Sequence, residues 1–125
     1  MANLKDFLKA TMKNGGASFN LVTGELNPKT GYMVALIGHE KIIAGVSDEK
    51  QLQYHIADYI KDKAILLASG ITDDKKYLGT WINDGKLYLD VSINFVDKAM
   101  AVEIATRSNQ LAIWDCANEI EIKID

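Results

Sequence analysis

The residue types that most often carry out catalysis are few in this chain, and they lie far apart. The two histidines, His39 and His55, have no cluster of further metal ligands around them, and the lone cysteine, Cys116, has no companion at the spacing of a zinc site. A cysteine nucleophile also needs a base, and nothing in the sequence places a histidine beside Cys116. We therefore predict structural or surface roles for these three residues, with no catalytic residue, no metal centre and no cofactor.

The acidic pairs occur where folding alone explains them. Asp48-Glu49 suits the start of a helix, and Asp73-Asp74 suits a solvated loop. Gly15-Gly16 precedes a predicted strand and not a helix, so it lacks the strand–loop–helix context of a phosphate-binding motif. Asp90 is the carboxylate for which we keep a catalytic role as an alternative.

Residues 86–95 alternate strictly between apolar and polar side chains, which is typical of a strand with one buried face. The polar face carries Tyr88, Asp90, Ser92 and Asn94. A solvent-facing sheet surface accounts for such a set. A binding platform accounts for it as well, because an aromatic plane stands among hydrogen-bonding groups. On that reading Tyr88, Ser92 and Asn94 are candidate ligand-binding residues.

A second polar segment, residues 106–110, joins a predicted helix to a predicted strand. It contains Arg107, the single arginine of the chain, and Asn109. A guanidinium can hold a phosphate through two hydrogen bonds, an amide can bind a base edge, and an indole can stack on a base. A plain turn explains the segment equally well. As a site it makes Arg107, Asn109, Trp81 and Trp114 ligand-binding candidates.

The predicted elements that must position these residues form an α+β domain. Asn83-Asp84-Gly85 between two strand patterns is a strong hairpin signal. The predicted helices cover residues 2–13, 47–68 and 97–108, and the predicted strands cover 18–22, 32–37, 41–46, 77–82, 86–95, 111–115 and 119–124. We expect a single domain, residues 1–125, with a mostly antiparallel sheet and about three helices packed on it.

The composition limits the partners. A net charge of −3 argues against a nucleic-acid polymer or a membrane surface, both of which favour basic proteins. No apolar run approaches the roughly 20 residues of a membrane span. A single cysteine cannot form an intramolecular disulfide, so we expect a reducing cytoplasm.

Three groups of short motifs together resemble a family of small phage and prophage proteins, the first Thoeris anti-defence family of "sponge" proteins. The motifs are residues 15–20 (GGASFN), 23–25 (TGE) and 31–34 (GYMV), residues 77–81 (YLGTW) and 87–92 (LYLDVS), and residues 109–115 (NQLAIWD). The resemblance implies a homo-oligomer in the host cytoplasm with pockets at its subunit interfaces. It also implies a ligand, a cyclic ADP-ribose isomer made by a TIR-domain enzyme, which is bound and not cleaved, so that Thoeris immunity is blocked. Some members of the family hold cyclic oligonucleotides at separate sites.

Two other classes of function stay open. The chain could be a protein-directed inhibitor of a host defence nuclease or effector, which its acidity would suit, although its acidic residues are scattered. It could also be an enzyme that degrades a signalling nucleotide with Asp90 as the catalytic carboxylate.

Overall fold

The structure, a computed structural model, describes residues 2–64, 66 and 75–124. These residues form three helices and seven strands. The helices are α1 (Leu4–Asn14), α2 (Glu49–Asp62) and α3 (Lys98–Arg107), and the strands are β1 (Gly16–Phe19), β2 (Tyr32–Ala35), β3 (Lys41–Ala44), β4 (Lys76–Asn83), β5 (Lys86–Phe95), β6 (Ala112–Asp115) and β7 (Ile120–Lys123). The predicted α+β class is confirmed.

Side-chain caps set the beginning of each helix. Asp97 caps α3 as predicted, whereas α2 is capped by Asp48 and not by Ser47. The Asp48 side chain accepts a hydrogen bond from the Gln51 backbone, and the Ser47 hydroxyl is instead bonded to the Gln51 side chain. The predicted continuation of α2 to residue 68, its end at residues 69–70 and the predicted loop at residues 73–74 fall largely outside the described residues.

All the strands form one antiparallel sheet in the order β1-β4-β5-β2-β6-β7, with β3 also paired to β5. The predicted hairpin joins β4 to β5 through Asp84 and Gly85, whose positive φ angles of 53° and 73° fit a two-residue turn. This turn places Trp81 opposite Tyr88 and Gly79 opposite Asp90.

The first strand differs from its prediction. It covers Gly16–Phe19 and stops before Asn20, which the sequence analysis placed inside a strand. The Asn20 side chain is fully buried and accepts hydrogen bonds from the backbone of Val22 and Thr23. An asparagine that bonds the backbone ahead of it turns the chain, and here this local bond replaces continued strand pairing.

The three helices cover one face of the sheet in two clusters. α1 and α2 pack on β1, β4 and β5 through a core that includes Phe7, Leu52 and Leu89, while α3 packs on β2 and β6 through Ala101, Ala105 and neighbours. Ile93 lies on the same face of β5 as Leu89 of the first cluster, and its partner on β2 is Val34 of the second cluster. Both clusters therefore lie on the same side of the sheet. The other face carries no helix among the described residues, in which no helix is long and apolar enough to cross a membrane.

Candidate functional site

The candidate site is this open face of the sheet. Leu87, Leu89 and Val91 of β5 turn to the helices, so Tyr88, Asp90, Ser92 and Asn94 turn away from them, as the alternation predicts. Antiparallel pairing brings residues of the neighbouring strands to the same face. These include Gly16 and Ser18 of β1, Gly79 and Trp81 of β4, Met33 and Ala35 of β2, Ala112 and Trp114 of β6, and Glu121 and Lys123 of β7.

A groove of about 830 Å³ runs across the open face from β1 to β7. Its charged lining residues, among those that the structure describes, are Lys29, Asp90, Glu119 and Glu121. Three carboxyl groups against one ammonium group make the lining acidic. The groove therefore favours hydrogen-bond donors and cations over free anions.

Trp81 forms an aromatic pair with Tyr88 at one end of this face. Their ring centroids are 5.1 Å apart with the planes inclined by 38°, and 53% of the Trp81 residue is exposed. The indole lies beside Gly16, where an added Cβ would be 2.8 Å from the Thr80 carbonyl oxygen and 3.5 Å from Trp81 Cδ1. The Thr80 carbonyl therefore restricts this position to glycine, whereas 3.5 Å from the indole is an ordinary contact distance. The exposed surface of Trp81 can stack on a planar ligand.

Asp90 lies in the middle of the sheet and is packed over Gly79. A Cβ at Gly79 would overlap Asp90 Oδ1 and would lie 3.1 Å from Asp90 Cγ, so only glycine leaves space for the carboxyl group. The Ser92 hydroxyl donates a hydrogen bond of 3.1 Å to Asp90 Oδ1. Burial raises the pKa of Asp90; the Ser92 bond opposes this rise, and the negative charge of Glu40 adds to it.

The same carboxyl group also faces a second, smaller cavity. This cavity of about 230 Å³ is lined by Asp90, Glu40, Gln110 and residues 35–38. A carboxylate held in this way can accept a hydrogen bond from a ligand hydroxyl or amino group. A raised pKa is also what a general acid requires, so the enzymatic alternative needs an experimental test.

Two of the predicted ligand-binding residues on β5 are already engaged within the chain. Ser92 is buried, and Asn94 Nδ2 donates to the Thr30 carbonyl oxygen at 3.0 Å and lies 3.4 Å from Met33 Sδ. Gly31 makes this possible, because a Cβ there would lie 2.7 Å from Asn94 Cγ. Asn94 therefore fixes the loop before β2, and its contact with a ligand stays a prediction.

Trp114 lies at the other end of the groove, paired with Met33 on one side and Glu121 on the other. It is 44% exposed. Three strand spacings across the sheet and six residues along it separate Trp81 from Trp114, which places their Cα atoms on the order of 25 Å apart. The two indoles therefore do not stack on each other, and one base cannot contact both.

Arg107 and Asn109 lie away from the groove. α3 buries Ala101 and Ala105, so Arg107 projects from the outer side of this helix, where its Nη2 atom contacts Glu103 Oε1 at 2.7 Å. Asn109 is exposed and has a φ of 56° in the turn that follows. Because Ile113 turns to α3 and Trp114 to the open face, the sheet separates the arginine from the indole. The structure does not bring these predicted partners together.

The histidines and the cysteine occupy structural positions. The backbone carbonyl of His39 accepts a hydrogen bond from the buried Tyr59 hydroxyl, and His55 contacts Tyr54 edge to face with centroids 5.2 Å apart. Cys116 is buried, and burial raises the pKa of its thiol to about 11, so the thiolate is scarce at neutral pH. The described residues contain no group of three or more His, Cys, Asp or Glu side chains that could hold a metal ion.

Among the groove residues that were not predicted from the sequence, four supply its charge or its close packing: Lys29, Gly79, Glu119 and Glu121. Gly79 could have been found, because the two-residue turn fixes the register of the hairpin and counting back from it pairs Gly79 with Asp90. The other three depend on which strands lie side by side across the sheet, and no local pattern gives that order.

Comparison of the chain with protein families, curated proteins and solved structures found no match.

Proposed function

We propose that the chain binds a nucleotide in the open groove and holds it without cleaving it. The observation that carries this proposal is the exposed Trp81 indole close to the Asp90 carboxyl group. Asp90 lies opposite Gly79, two residues before Trp81 on β4, so about 7 Å separates the two positions along the strand. A base stacked on the indole would put its ribose hydroxyls or its amino group within reach of the carboxylate.

The ligand that we propose is a cyclic ADP-ribose isomer made by a TIR-domain enzyme, in a phage protein that blocks Thoeris immunity in the host cytoplasm. The sequence resemblance supports this choice. The acidic lining of the groove does not by itself suit the diphosphate of this ligand, because a diphosphate needs a cation or backbone N–H groups. Lys29 is the basic side chain that the described groove lining offers. A homo-oligomer, which the resemblance also implies, would supply further cations from a second copy.

A second candidate function, inhibition of a host defence nuclease or effector by direct binding, is favoured by the same charge distribution. Asp90, Glu119 and Glu121 line a wide groove with an exposed indole at each end. Such a surface suits a basic protein segment that carries aromatic or apolar side chains. The two functions differ in whether a small molecule is withdrawn from solution.

One experiment separates these functions and the enzymatic alternative. The protein is incubated with lysate from cells whose TIR-domain enzyme is active, part of the mixture is heat-denatured, and both supernatants are tested for the immune signal. Signal that disappears and returns after heating supports sequestration. Signal that stays lost indicates an enzyme, and signal that never falls leaves direct protein inhibition.

Substitutions then locate the ligand. Trp81→Ala should weaken binding of cyclic ADP-ribose in calorimetry by about 1–3 kcal/mol, or roughly five- to 150-fold in Kd, because one base loses its stacking partner. Tyr54→Ala removes an exposed aromatic residue from α2, outside the groove, and is the matched control.

Arg107→Ala tests the helix–strand junction directly. If the ligand lies in the groove, this substitution leaves Kd unchanged. A folded Trp81→Ala variant with full affinity, together with an Arg107→Ala variant that has lost affinity, would move the ligand to the junction and contradict the proposal.

A further inference from the structure

The outer edge of β7 is unpaired in the described part of the chain. β7 is the last strand in the sheet order and pairs with β6. At the opposite end the chain covers its own edge, because the Ser18 carbonyl accepts from the Asn27 backbone at 2.8 Å and the Ser18 N–H donates to Asn27 Oδ1 at 2.9 Å. An uncovered strand edge is a template for another strand.

The hydrogen bonds of β7 to β6 show which of its backbone groups point outward. Ile124 donates its N–H to the Leu111 carbonyl oxygen at 2.8 Å. In an antiparallel ladder, alternate residues bond to the same neighbouring strand. Ile120, Ile122 and Ile124 therefore direct their backbone groups to β6, whereas Glu121 and Lys123 direct theirs to the free edge.

We propose that this edge pairs antiparallel with β7 of a second copy of the chain, with Ile122 opposite the partner's Ile122. The outward backbone groups of Glu121 then meet those of the partner's Lys123, and the same pair forms again across the two-fold axis. Ile120 lies opposite the partner's Ile124. Opposite charges therefore pair on the open face of the sheet and isoleucines pair on the helix face, which is the arrangement that stabilises cross-strand pairs.

The neighbouring registers lack this complementarity. A shift by two residues places either Glu121 opposite the partner's Glu121 or Lys123 opposite the partner's Lys123, and like charges in direct opposition destabilise a strand pair. A shift by one residue places outward-pointing backbone groups of one strand opposite inward-pointing groups of its partner, so they cannot form hydrogen bonds. It also joins the open face of one sheet to the helix face of the other. In the single chain neither Glu121 nor Lys123 forms an ion pair with a described residue, and both are exposed.

Among the described strands, β3 also has an outer side with no paired strand, and its charges do not favour such a register. Its single charged residue, Lys41, is bonded to Asp58 of the same chain at 3.3 Å, and the remaining residues of the strand are apolar. The charge pattern therefore selects β7.

Pairing at β7 would also cover exposed apolar surface and extend the groove. Leu111 is 83% exposed and Ile120 is 50% exposed. Both side chains lie on the helix face, near the two-fold axis of the proposed dimer. The partner's Ile120 would lie opposite Ile124, and Ile124 is itself beside Leu111. The partner's Ile120 would therefore lie close to Leu111. On the open face, each groove would gain the partner's Lys123 beside Glu121. This inference rests on the strand edge and not on the proposed ligand.

A charge-swap experiment tests the register. Sedimentation velocity and light scattering, from micromolar to near-millimolar protein, should show a dimer for the unmodified chain. Glu121→Lys or Lys123→Glu alone should raise the dimer dissociation constant by about tenfold, because each turns both ion pairs into like-charge pairs. The double variant Glu121→Lys/Lys123→Glu should restore the dimer, since it recreates opposite pairs in the same register.

Lys50→Glu is the control, because it makes the same charge change as Lys123→Glu at an exposed position of α2. The side chains of Glu121 and Lys123 are exposed and form no ion pair with a described residue of their own chain, so circular dichroism should show an unchanged fold. A chain that stays monomeric throughout, a dimer indifferent to the single swaps, or a double variant no better than the single ones would each overturn the proposal.

Discussion

Replacement of Gly79 by alanine tests how closely the sheet is packed under Asp90. The added Cβ would overlap Asp90 Oδ1 and lie 3.1 Å from Cγ, well inside normal contact. Asp90 would have to rotate, which would break the hydrogen bond from Ser92 and force the side chain off its rotamer. Gly79 itself has no positive φ, so alanine meets no backbone strain at this position.

The expected loss of stability in Gly79→Ala is the sum of these effects. Loss of the Ser92 bond and rotamer strain contribute about 0.5–1.5 kcal/mol each. Alanine loses less conformational entropy on folding than glycine does. This difference stabilises the variant by about 0.5–1 kcal/mol and offsets part of the cost. Gly79→Ala should therefore lower the free energy of unfolding by about 1 kcal/mol, within a range of about 0–2.5 kcal/mol. In an Asp90→Ala background nothing obstructs the methyl group, and the same substitution should be neutral or stabilising.

Urea unfolding of the four proteins of this double-mutant cycle measures the coupling. An Asp90→Asn background is the control for charge, because asparagine matches aspartate in size and should keep the cost of Gly79→Ala. An equal cost of Gly79→Ala in the unmodified chain and in the Asp90→Ala background would refute the packing argument. A cost that vanishes in the Asp90→Asn background would show that charge, and not shape, couples the two positions.

Three further expectations concern stability. Asp90→Asn should raise the free energy of unfolding at neutral pH. The reason is that burial raises the pKa of Asp90, so the folded state favours the protonated form of this carboxyl group. The gain in stability should shrink as the pH falls through this raised pKa. Asp115→Asn should do the opposite, because hydrogen bonds from Asn118 lower the pKa of Asp115 and give a stability at neutral pH that is lost on acidification. Urea midpoints at neutral and acid pH check both, and parallel pH profiles for the two variants and the original chain would contradict them. Tyr59→Phe leaves the His39 carbonyl without its hydroxyl donor and should cost about 1–2 kcal/mol in the same assay; no measurable loss would show that another group satisfies the carbonyl.

The sequence predicted best those elements that depend on residues close together in the chain. The hairpin follows from alternation and an Asp-Gly turn, both of which lie within a few residues, and α3 begins at its Asp97 cap as expected. Asn20 shows how a local pattern can mislead. Its neighbours have strand propensity, yet its side chain finds backbone donors two and three residues ahead, and the strand stops before it.

The candidate site was harder to predict because it combines distant strands. The alternation of β5 gave the polar face correctly, but it could not show that Ser92 and Asn94 are engaged by their own chain. Grouping Arg107 with Trp114 relied on closeness in sequence. Two consecutive residues of a strand face opposite sides, and with Ile113 turned to α3 the indole points away from the helix that carries the arginine.

The order of the strands has a consequence for how the chain acquires its fold during synthesis. β1, β2 and β3 pair with no other strand from the first half of the chain; β1 pairs with β4, β3 with β5, and β2 with β5 and β6. Of the described elements, two helices and three strands therefore leave the ribosome before β4, β5 and β6 exist. Late, non-local pairing of this kind slows folding, and the β4–β5 hairpin is the first sheet structure that can form once it emerges. A nascent chain stalled before Lys76 should therefore remain without a sheet.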